Sequence, residues 1–507
     1  FKPLKPQIAH ILGNQVARHL TDFEFCKFFT FEKFSTSSGC RSRSTLNFEA
    51  GLNVVRNFYG VTYSAPVDST ALVVMVGKAH KLPNFTALSQ HIDPQWIAQA
   101  LAATGKASVR RRKLPAERVL WLVIALAMYR HQSVAQIVAE LDLVLPDEVN
   151  PDIASSAVTQ ARQRLGQEPL AQLFGLCASA WDARHQRGHS WRGLARYAID
   201  GSTLRTSDTA DNRDHFGAQA YASGVVSSYP QVRVLTLTSL ATHLLRDAVF
   251  GEYGKNEMRY AKELIDAIPE HSLTVFDRGF LSAEILLQLQ QTGVQRHWLI
   301  PAKSNIQWEK LDKHPTDYRV RMKVSPQARK ANPALPAYWE ARAIEIVSRH
   351  GQRRIWLSSL VDAKAWPAKE IAQQYEQRWH IETSYRELKQ EMLGAGLTLR
   401  SGSPQTVRQE VWGVLLAYNL VRLEMAEVAR EEGAAPTDLS FTVALHYLRY
   451  EWHWLATSSP GTLPKHLQRL RQRLGDLLVS KQRRERQCPR VVKKPPARYP
   501  VTQVRVK

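Results

Sequence analysis

The chain has 507 residues, of which 44% are apolar and 22% charged, and these proportions exclude wholesale disorder, collagen and coiled-coil fibres. Lysine and arginine number 68 against 46 acidic residues, so the net charge is +22. An excess of this size favours a polyanionic partner, and it favours nucleic acid over a membrane.

Residues 1–74 differ in pattern from the rest of the chain and show little helical periodicity. The chain begins with Phe1, and its first methionine is Met75. One interpretation is that the reading frame begins upstream of a true start near Met75, and the other is a genuine, irregular N-terminal extension. Four scattered cysteines and the lack of a leader-like start predict a reduced, cytoplasmic protein.

Residues 75–190 show helical spacing and predict a helical DNA-binding domain. An apolar helix is predicted over 114–129, too short to span a bilayer, and a polar one over 155–165. The second helix carries Arg162 and Arg164, which suit contact with DNA phosphates. The alternative is an ordinary helical domain whose charges face water.

Residues 191–302 change to a pattern of strands and helices that predicts an α/β sheet of mixed direction. Residues 303–365 predict a β-rich insertion with a basic surface, and 366–402 contain a long amphipathic helix over 367–392. More helices are predicted over 403–480. The last segment, 481–507, holds ten basic residues and one acid, which predicts a tail that binds phosphate.

Four side chains of the long helix project into one narrow sector. Tyr375, Arg378, Glu382 and Lys389 stand at offsets 0, 3, 7 and 14, which at about 100° per residue place them within about 60° of one another. Cations on such a stripe can bind phosphates while the acid binds a metal. The plainer alternative is a surface helix with an Arg378–Glu382 ion pair.

Two further acids end apolar runs that predict buried strands. Asp200 follows Tyr-Ala-Ile, and Asp277 follows Leu-Thr-Val-Phe. An acid at the carboxyl end of a sheet strand lies where α/β sites form, although it can also cap the next turn. Together with Glu382 these acids supply the hard oxygen ligands that two Mg²⁺ ions require for cleaving a phosphodiester.

The helix stripe resembles the Tyr-Arg-Glu-Lys signature of bacterial transposases of the insertion-sequence-4 family. The chain reads Tyr375-x-x-Arg378-x-x-x-Glu382 and then, after six intervening residues, Lys389. Three blocks further upstream are similar to that family and occur in its order: 157–166, Ala-Ile-Asp-Gly at 198–201 and Asp-Arg-Gly-Phe at 277–280. The resemblance runs from about Met75 to the C-terminus.

This resemblance implies an RNase H-like catalytic core with a β insertion before the last acid. Asp200, Asp277 and Glu382 would bind two Mg²⁺ or Mn²⁺ ions. The other three signature residues, Tyr375, Arg378 and Lys389, would contact phosphates at the transposon end. Trp356 lies where some family members stack a flipped base, although packing within a strand explains it equally well.

The resemblance implies a transposase that binds the inverted repeats of an insertion sequence, cuts the ends and transfers them to target DNA, with or without a hairpin. Its partners would be double-stranded DNA and a second copy of the chain in a DNA-bridged homodimer, with no membrane, in the bacterial cytoplasm near the nucleoid. Two alternatives remain: a metal-dependent nuclease without strand transfer, and a non-catalytic DNA-binding protein descended from a transposase.

Overall fold

The computed structural model describes residues 91–107, 114–140, 154–186, 188–220, 226–347, 353–394, 398–455, 471–473 and 501–502. The predicted N-terminal extension, residues 1–74, lies outside the described residues, as does the basic tail apart from residues 501–502. Within the described segments no helix has both the length and the apolar character needed to cross a membrane.

Five helices of the described residues precede the first strand, in agreement with the helical spacing predicted for this region. They are α1 (Pro94–Ala103), α2 (Ala116–Met128), α3 (Val134–Glu140), α4 (Ser155–Leu165) and α5 (Glu168–Gln186). Helix α1 begins where Asp93 accepts a hydrogen bond from the amide of Gln95 and Pro94 takes a position that needs no amide proton. Helix α2 is buried along nearly its whole length, which agrees with the apolar run in its sequence.

A nine-stranded mixed sheet follows, in the strand order β4-β3-β1-β5-β6-β10-β9-β8-β7. Its first five strands are β1 (Ala195–Arg205), β3 (Gln231–Ser239), β4 (Leu245–Glu252), β5 (Ser272–Phe276) and β6 (Arg296–Pro301), and a short β2 (Val226–Ser227) pairs with β11 (Val501–Thr502) in a separate ribbon. Strands β1, β5 and β6 run parallel, whereas β3 is antiparallel to both β1 and β4. The predicted α/β sheet of mixed direction is confirmed.

Within the described residues three helices lie between these strands, in keeping with the predicted pattern of strands and helices. They are α6 (Ala210–Phe216), α7 (Glu257–Leu264) and α8 (Ala283–Gln291). The chain continues from α7 directly into a tighter 3₁₀ turn at Ile265–Ala267.

The β-rich insertion extends this same sheet. It contributes β7 (Glu309–Lys310), β8 (Asp317–Lys323), β9 (Tyr338–Val347) and β10 (Arg353–Ser358), together with a short helix, α9 (Pro326–Ala331). Strand β10 pairs antiparallel with β6 and so joins the insertion to the central strands. The insertion therefore continues the core by backbone hydrogen bonds.

The long helix predicted over 367–392 is interrupted. It consists of α10 (Ala368–Glu376), α11 (Trp379–Arg386) and a wide π-helical turn, Glu387–Met392. Between α10 and α11 the chain tightens, because the amide of Arg378 donates to the carbonyl of Tyr375, three residues back, at 3.0 Å. The uniform rotation of about 100° per residue assumed from the sequence therefore does not hold across this segment.

The C-terminal helices share a core with the N-terminal ones. Helix α12 (Pro404–Glu431) and helix α13 (Phe441–Leu455) follow the wide turn. One hydrophobic cluster includes Val123 of α2, Leu173 of α5, Leu420 of α12 and Leu445 of α13. The regions predicted as separate helical domains thus pack together, and the predicted domain boundaries stay predictions.

Gly413 permits the close approach of α12 to α2. A methyl group at Gly413 would lie 2.7 Å from the Val123 Cγ1 atom and 2.7 Å from the Val123 carbonyl oxygen. We expect Gly413→Ala to lower the free energy of unfolding by about 1–3 kcal/mol, because overpacking outweighs the gain in helix propensity. The matched control is Gly175→Ala in α5, where no atom lies within 4 Å of the added methyl. This control should raise stability by up to about 1 kcal/mol in urea unfolding, and equal effects of the two changes would contradict the packing.

Candidate active site

The parallel pairing of β1 with β5 sets two of the predicted acids side by side. Ile199 pairs with Phe276, so Asp200 and Asp277 are the next residues on strands that lie about 4.8 Å apart. Side chains alternate along a strand, which puts both acids on the face that carries Ala198 and Val275.

Helix α11 packs against the same face of the sheet. Ile381 and Tyr385 of α11 are buried in one cluster with Ala198 and Val275. The hydroxyl of Tyr385 donates to the carbonyl oxygen of Asp200 at 2.7 Å, which ties α11 directly to β1. Helix α11 therefore carries Glu382 to the side of the sheet where the two aspartates lie.

Arg378 stands between two of the three carboxylates. Its Nη2 atom donates to Glu382 Oε1 at 2.5 Å, and its Nη1 atom lies 3.9 Å from Asp200 Oδ2. Burial lowers the pKa of Arg378, but Tyr375, Glu382 and Asp200 outweigh burial and raise it above its ordinary value. The guanidinium is thus a permanent cation in a group of anions.

Asp200 lies in surroundings that disfavour its ionised form. Its pKa is raised to about 6, with burial as the largest cause and the nearby carboxylates of Asp277 and Glu257 acting in the same direction. The amide of Gly201, which donates to Asp200 Oδ1 at 2.8 Å, and the Arg378 cation act in the opposite direction. Partly buried carboxylates that disfavour one another's charge are stabilised by a divalent cation.

The residues fit a divalent ion in chemistry, and their present geometry is incomplete. Within the described residues no three Asp, Glu, His or Cys side chains lie in an arrangement that holds a metal ion. Strand register places Asp200 and Asp277 on one face, while Glu382 binds Arg378, and the predicted convergence of the three acids on a metal stays a prediction.

The remaining signature residues surround this group. Lys389, in the wide turn, donates from Nζ to the hydroxyl of Ser202 on β1 at 3.2 Å. Burial raises the pKa of Tyr375, which is adjacent to Arg378. The four residues that the sequence placed on one helical stripe thus gather near β1, even though the helix is irregular.

Trp356 and Trp379 differ sharply in exposure. Trp356, on β10, is 7% exposed and packs against Tyr375 with ring centroids 5.8 Å apart. This burial favours the packing alternative for Trp356, and its stacking role stays a prediction. Trp379, next to Arg378, is 68% exposed, and sequence reasoning missed it. Helical spacing alone does not indicate that Trp379 is exposed, because its exposure depends on how α11 packs against the sheet.

Arg162 forms hydrogen bonds within the protein. Its guanidinium donates to Gln409 at 2.8 Å, to Ser401 at 3.0 Å and to the carbonyl of Thr406 at 3.1 Å. These bonds fasten α4 to α12 and to the segment before it, and the predicted contact of Arg162 with DNA stays a prediction. Arg164 is exposed, and its predicted contact with DNA stays a prediction.

Comparison with known proteins adds independent information. Residues 83–175 match the family described as insertion element 4 transposase N-terminal, and residues 191–420 match the transposase DDE domain. The chain is 39% identical over 429 residues to transposase InsG for insertion sequence element IS4 of Escherichia coli K12, across 84% of this chain and 96% of that protein. It is 35% identical over 231 residues to the putative transposase InsZ of the same organism, across 45% of this chain and 76% of that protein. A piggyBac transposase synaptic complex with hairpin DNA is similar at 12% identity, with a TM-score of 0.38, across 79% of this chain and 88% of that one.

The raised pKa of Asp200 makes a prediction about stability in metal-free buffer. The folded state disfavours the ionised carboxyl, so stability that is present below the unfolded pKa of about 4 is lost as the pH rises through about 6. Asp200→Asn removes this loss while its amide oxygen still accepts from Gly201. We expect the stability advantage of the variant to grow by about 1 kcal/mol from about pH 5 to about pH 7.5 in urea unfolding. An advantage that shrinks over this range would contradict the assigned burial.

Proposed function

The chain belongs to the insertion element 4 family of DDE transposases, and on this premise we propose that it binds the terminal inverted repeats of an insertion sequence, cuts the ends and transfers the freed 3′-OH ends to target DNA. DDE transposases are metal-dependent enzymes that cleave DNA. The observation that carries the proposal is the register of β1 and β5, which sets Asp200 beside Asp277 on the face that receives α11.

In this proposal Asp200, Asp277 and Glu382 hold two divalent ions, Mg²⁺ or Mn²⁺. When bound, such ions lower the pKa of water and stabilise the leaving oxygen of a phosphodiester. The side chains provide carboxylate oxygens, the ligands that these hard cations prefer. The raised pKa of Asp200 supports the assignment: burial is its main cause, and a bound cation would offset the cost of holding the ionised carboxylate in this buried position.

Arg378 would couple DNA binding to assembly of the site. Its guanidinium now binds Glu382, and a DNA phosphate presents the same paired oxygens to it. When Arg378 exchanges the carboxylate for a phosphate, Glu382 becomes available beside the two aspartates. Lys389 and Tyr375 would bind further phosphates, so the end of the element would be gripped before it is cut.

Trp379 would supply an aromatic contact to DNA next to this phosphate site. It is the most exposed of the large apolar side chains of the described residues, and it directly follows Arg378. An exposed aromatic ring stacks on an extruded or terminal base without sequence preference. Trp379 therefore takes over, in this proposal, the stacking role that the sequence suggested for the buried Trp356.

Strand transfer requires two ends to be brought together, so the proposed assembly is a homodimer bridged by DNA. The positive charge of the chain supports an extended DNA interface. The freed 3′-OH would attack target DNA directly or first attack the opposite strand to form a hairpin. A nuclease without strand transfer, the main alternative, would cut the same ends without producing joined products.

Replacing Glu382 with Gln should abolish cleavage and spare binding. The change removes one anionic ligand while it keeps the shape of the side chain, so we expect Mg²⁺-dependent cleavage of an end duplex to fall more than about 100-fold. DNA binding should be retained and should become tighter, because Arg378 no longer has to leave an anionic carboxylate in order to bind a phosphate. Cleavage is measured on a labelled end duplex, and binding by fluorescence anisotropy without metal.

The matched control is Glu376→Gln, which makes the same chemical change at an exposed position on α10. This control should cut at the wild-type rate. Wild-type cleavage by Glu382→Gln would overturn the assignment of the third acid, and joined products in the wild-type reaction would separate a transposase from a simple nuclease.

A further inference from the structure

A row of buried, hydrogen-bonded polar side chains connects helix α12 to helix α11. Arg422 of α12 is 1% exposed and forms an ion pair with Glu387, in the wide turn that follows α11. The Nη2 atom of Arg422 lies 2.6 Å from His243 Nδ1, in the turn between β3 and β4. His243 Nε2 in turn lies 3.0 Å from His380 Nδ1, on α11 two residues before Glu382.

The donors and acceptors on these side chains fix the direction of each hydrogen bond. A guanidinium has only donors, so His243 Nδ1 must accept from Arg422. Glu387 Oε2 is farther from the same nitrogen, at 3.6 Å. A neutral imidazole carries its proton on the other nitrogen, so His243 Nε2 donates to His380 Nδ1. Burial, and then the neighbouring Arg422 cation, lower the pKa of His243 to about 4, which agrees with a neutral ring.

The backbone at His243 is unusual in a way that supports a built connection. His243 has a φ of +62°, in the left-handed region that histidine adopts more often than most residues but still uncommonly. Its side chain is buried at 2% exposure. The turn therefore holds a buried polar ring in an uncommon backbone conformation, in contact with His380 of α11 and Arg422 of α12.

From this geometry we infer that His243 is a positioning residue for Glu382. Its hydrogen bonds link Arg422, which is buried and paired with Glu387, to His380, and they so hold the first turn of α11, which carries Glu382. The inference rests on the proposed function, since it assigns Glu382 to the reaction. Tyr385 anchors the last turn of the same helix to β1, so the hydrogen bond at His380 supplies the second point of attachment.

The test uses two substitutions that place an amide at different ends of the imidazole. His243→Asn puts its amide near the position of Nδ1, so it keeps a partner for Arg422, suits the left-handed backbone, and loses the donor to His380. His243→Gln extends a donor to the position of Nε2 and restores the bond to His380. The matched control is His271→Asn, which makes the same change at an exposed histidine with a φ of +51°, in the turn before β5.

Two readouts are measured on the full chain: cleavage of an end duplex in Mg²⁺, and hydrogen–deuterium exchange of residues 379–386 without DNA or metal. We expect His243→Asn to slow cleavage about tenfold or more and to speed exchange in this segment, with DNA binding within about twofold of wild type. His243→Gln should recover most of both losses, and His271→Asn should match the wild type in both.

Wild-type exchange in His243→Asn would overturn the positioning role. Equal losses in the Asn and Gln variants, with an equally lowered melting temperature, would also overturn it, because they would show that the ring only fills space. Failure of the proposed function gives a different result, because the wild-type chain would then cut no DNA end. In that case faster exchange in the Asn variant, with recovery in the Gln variant, would still support the link between His243 and α11.

Discussion

The parallel register between β1 and β5 is the constraint on which the candidate site depends. Because Ile199 pairs with Phe276, the two following aspartates reach the same level on the same face of the sheet. A shift of one residue in either strand would send its carboxylate to the opposite face, among the apolar residues packed beneath α7 and α8. The apolar residues buried on each face therefore fix the strand register, and with it both the fold and the position of the two aspartates.

The sheet alone cannot supply the third acid, so the placement of α11 matters equally. Apolar packing of Ile381 sets the face of the helix, and the hydrogen bond from Tyr385 to the carbonyl of Asp200 sets its position along β1. Arg378 then neutralises the group in the absence of other cations. This cation belongs to the protein and lies between the carboxylates of Glu382 and Asp200.

Much of this arrangement was predictable from local patterns. The apolar runs before Asp200 and Asp277 identified buried strands, and the spacing of Tyr375, Arg378, Glu382 and Lys389 identified their common side of a helix. The interruption near Arg378 and the wide turn at Glu387–Met392 were not predictable from local pattern, because the contacts of this segment, such as the Arg422–Glu387 ion pair, join residues far apart in the sequence. The hydrogen bonds of Arg162 were not predictable for the same reason, since its partners lie more than 200 residues away.

The most direct test of the account is the anomalous scattering of Mn²⁺ in crystals of the chain bound to an end duplex. The account predicts a peak between the carboxylates of Asp200 and Asp277, about 2.1–2.3 Å from their oxygens, with Glu382 released from Arg378 and turned toward the metal. A peak that lies away from these aspartates, or a well-ordered complex in which Glu382 still binds Arg378 while the DNA is cut, would contradict it.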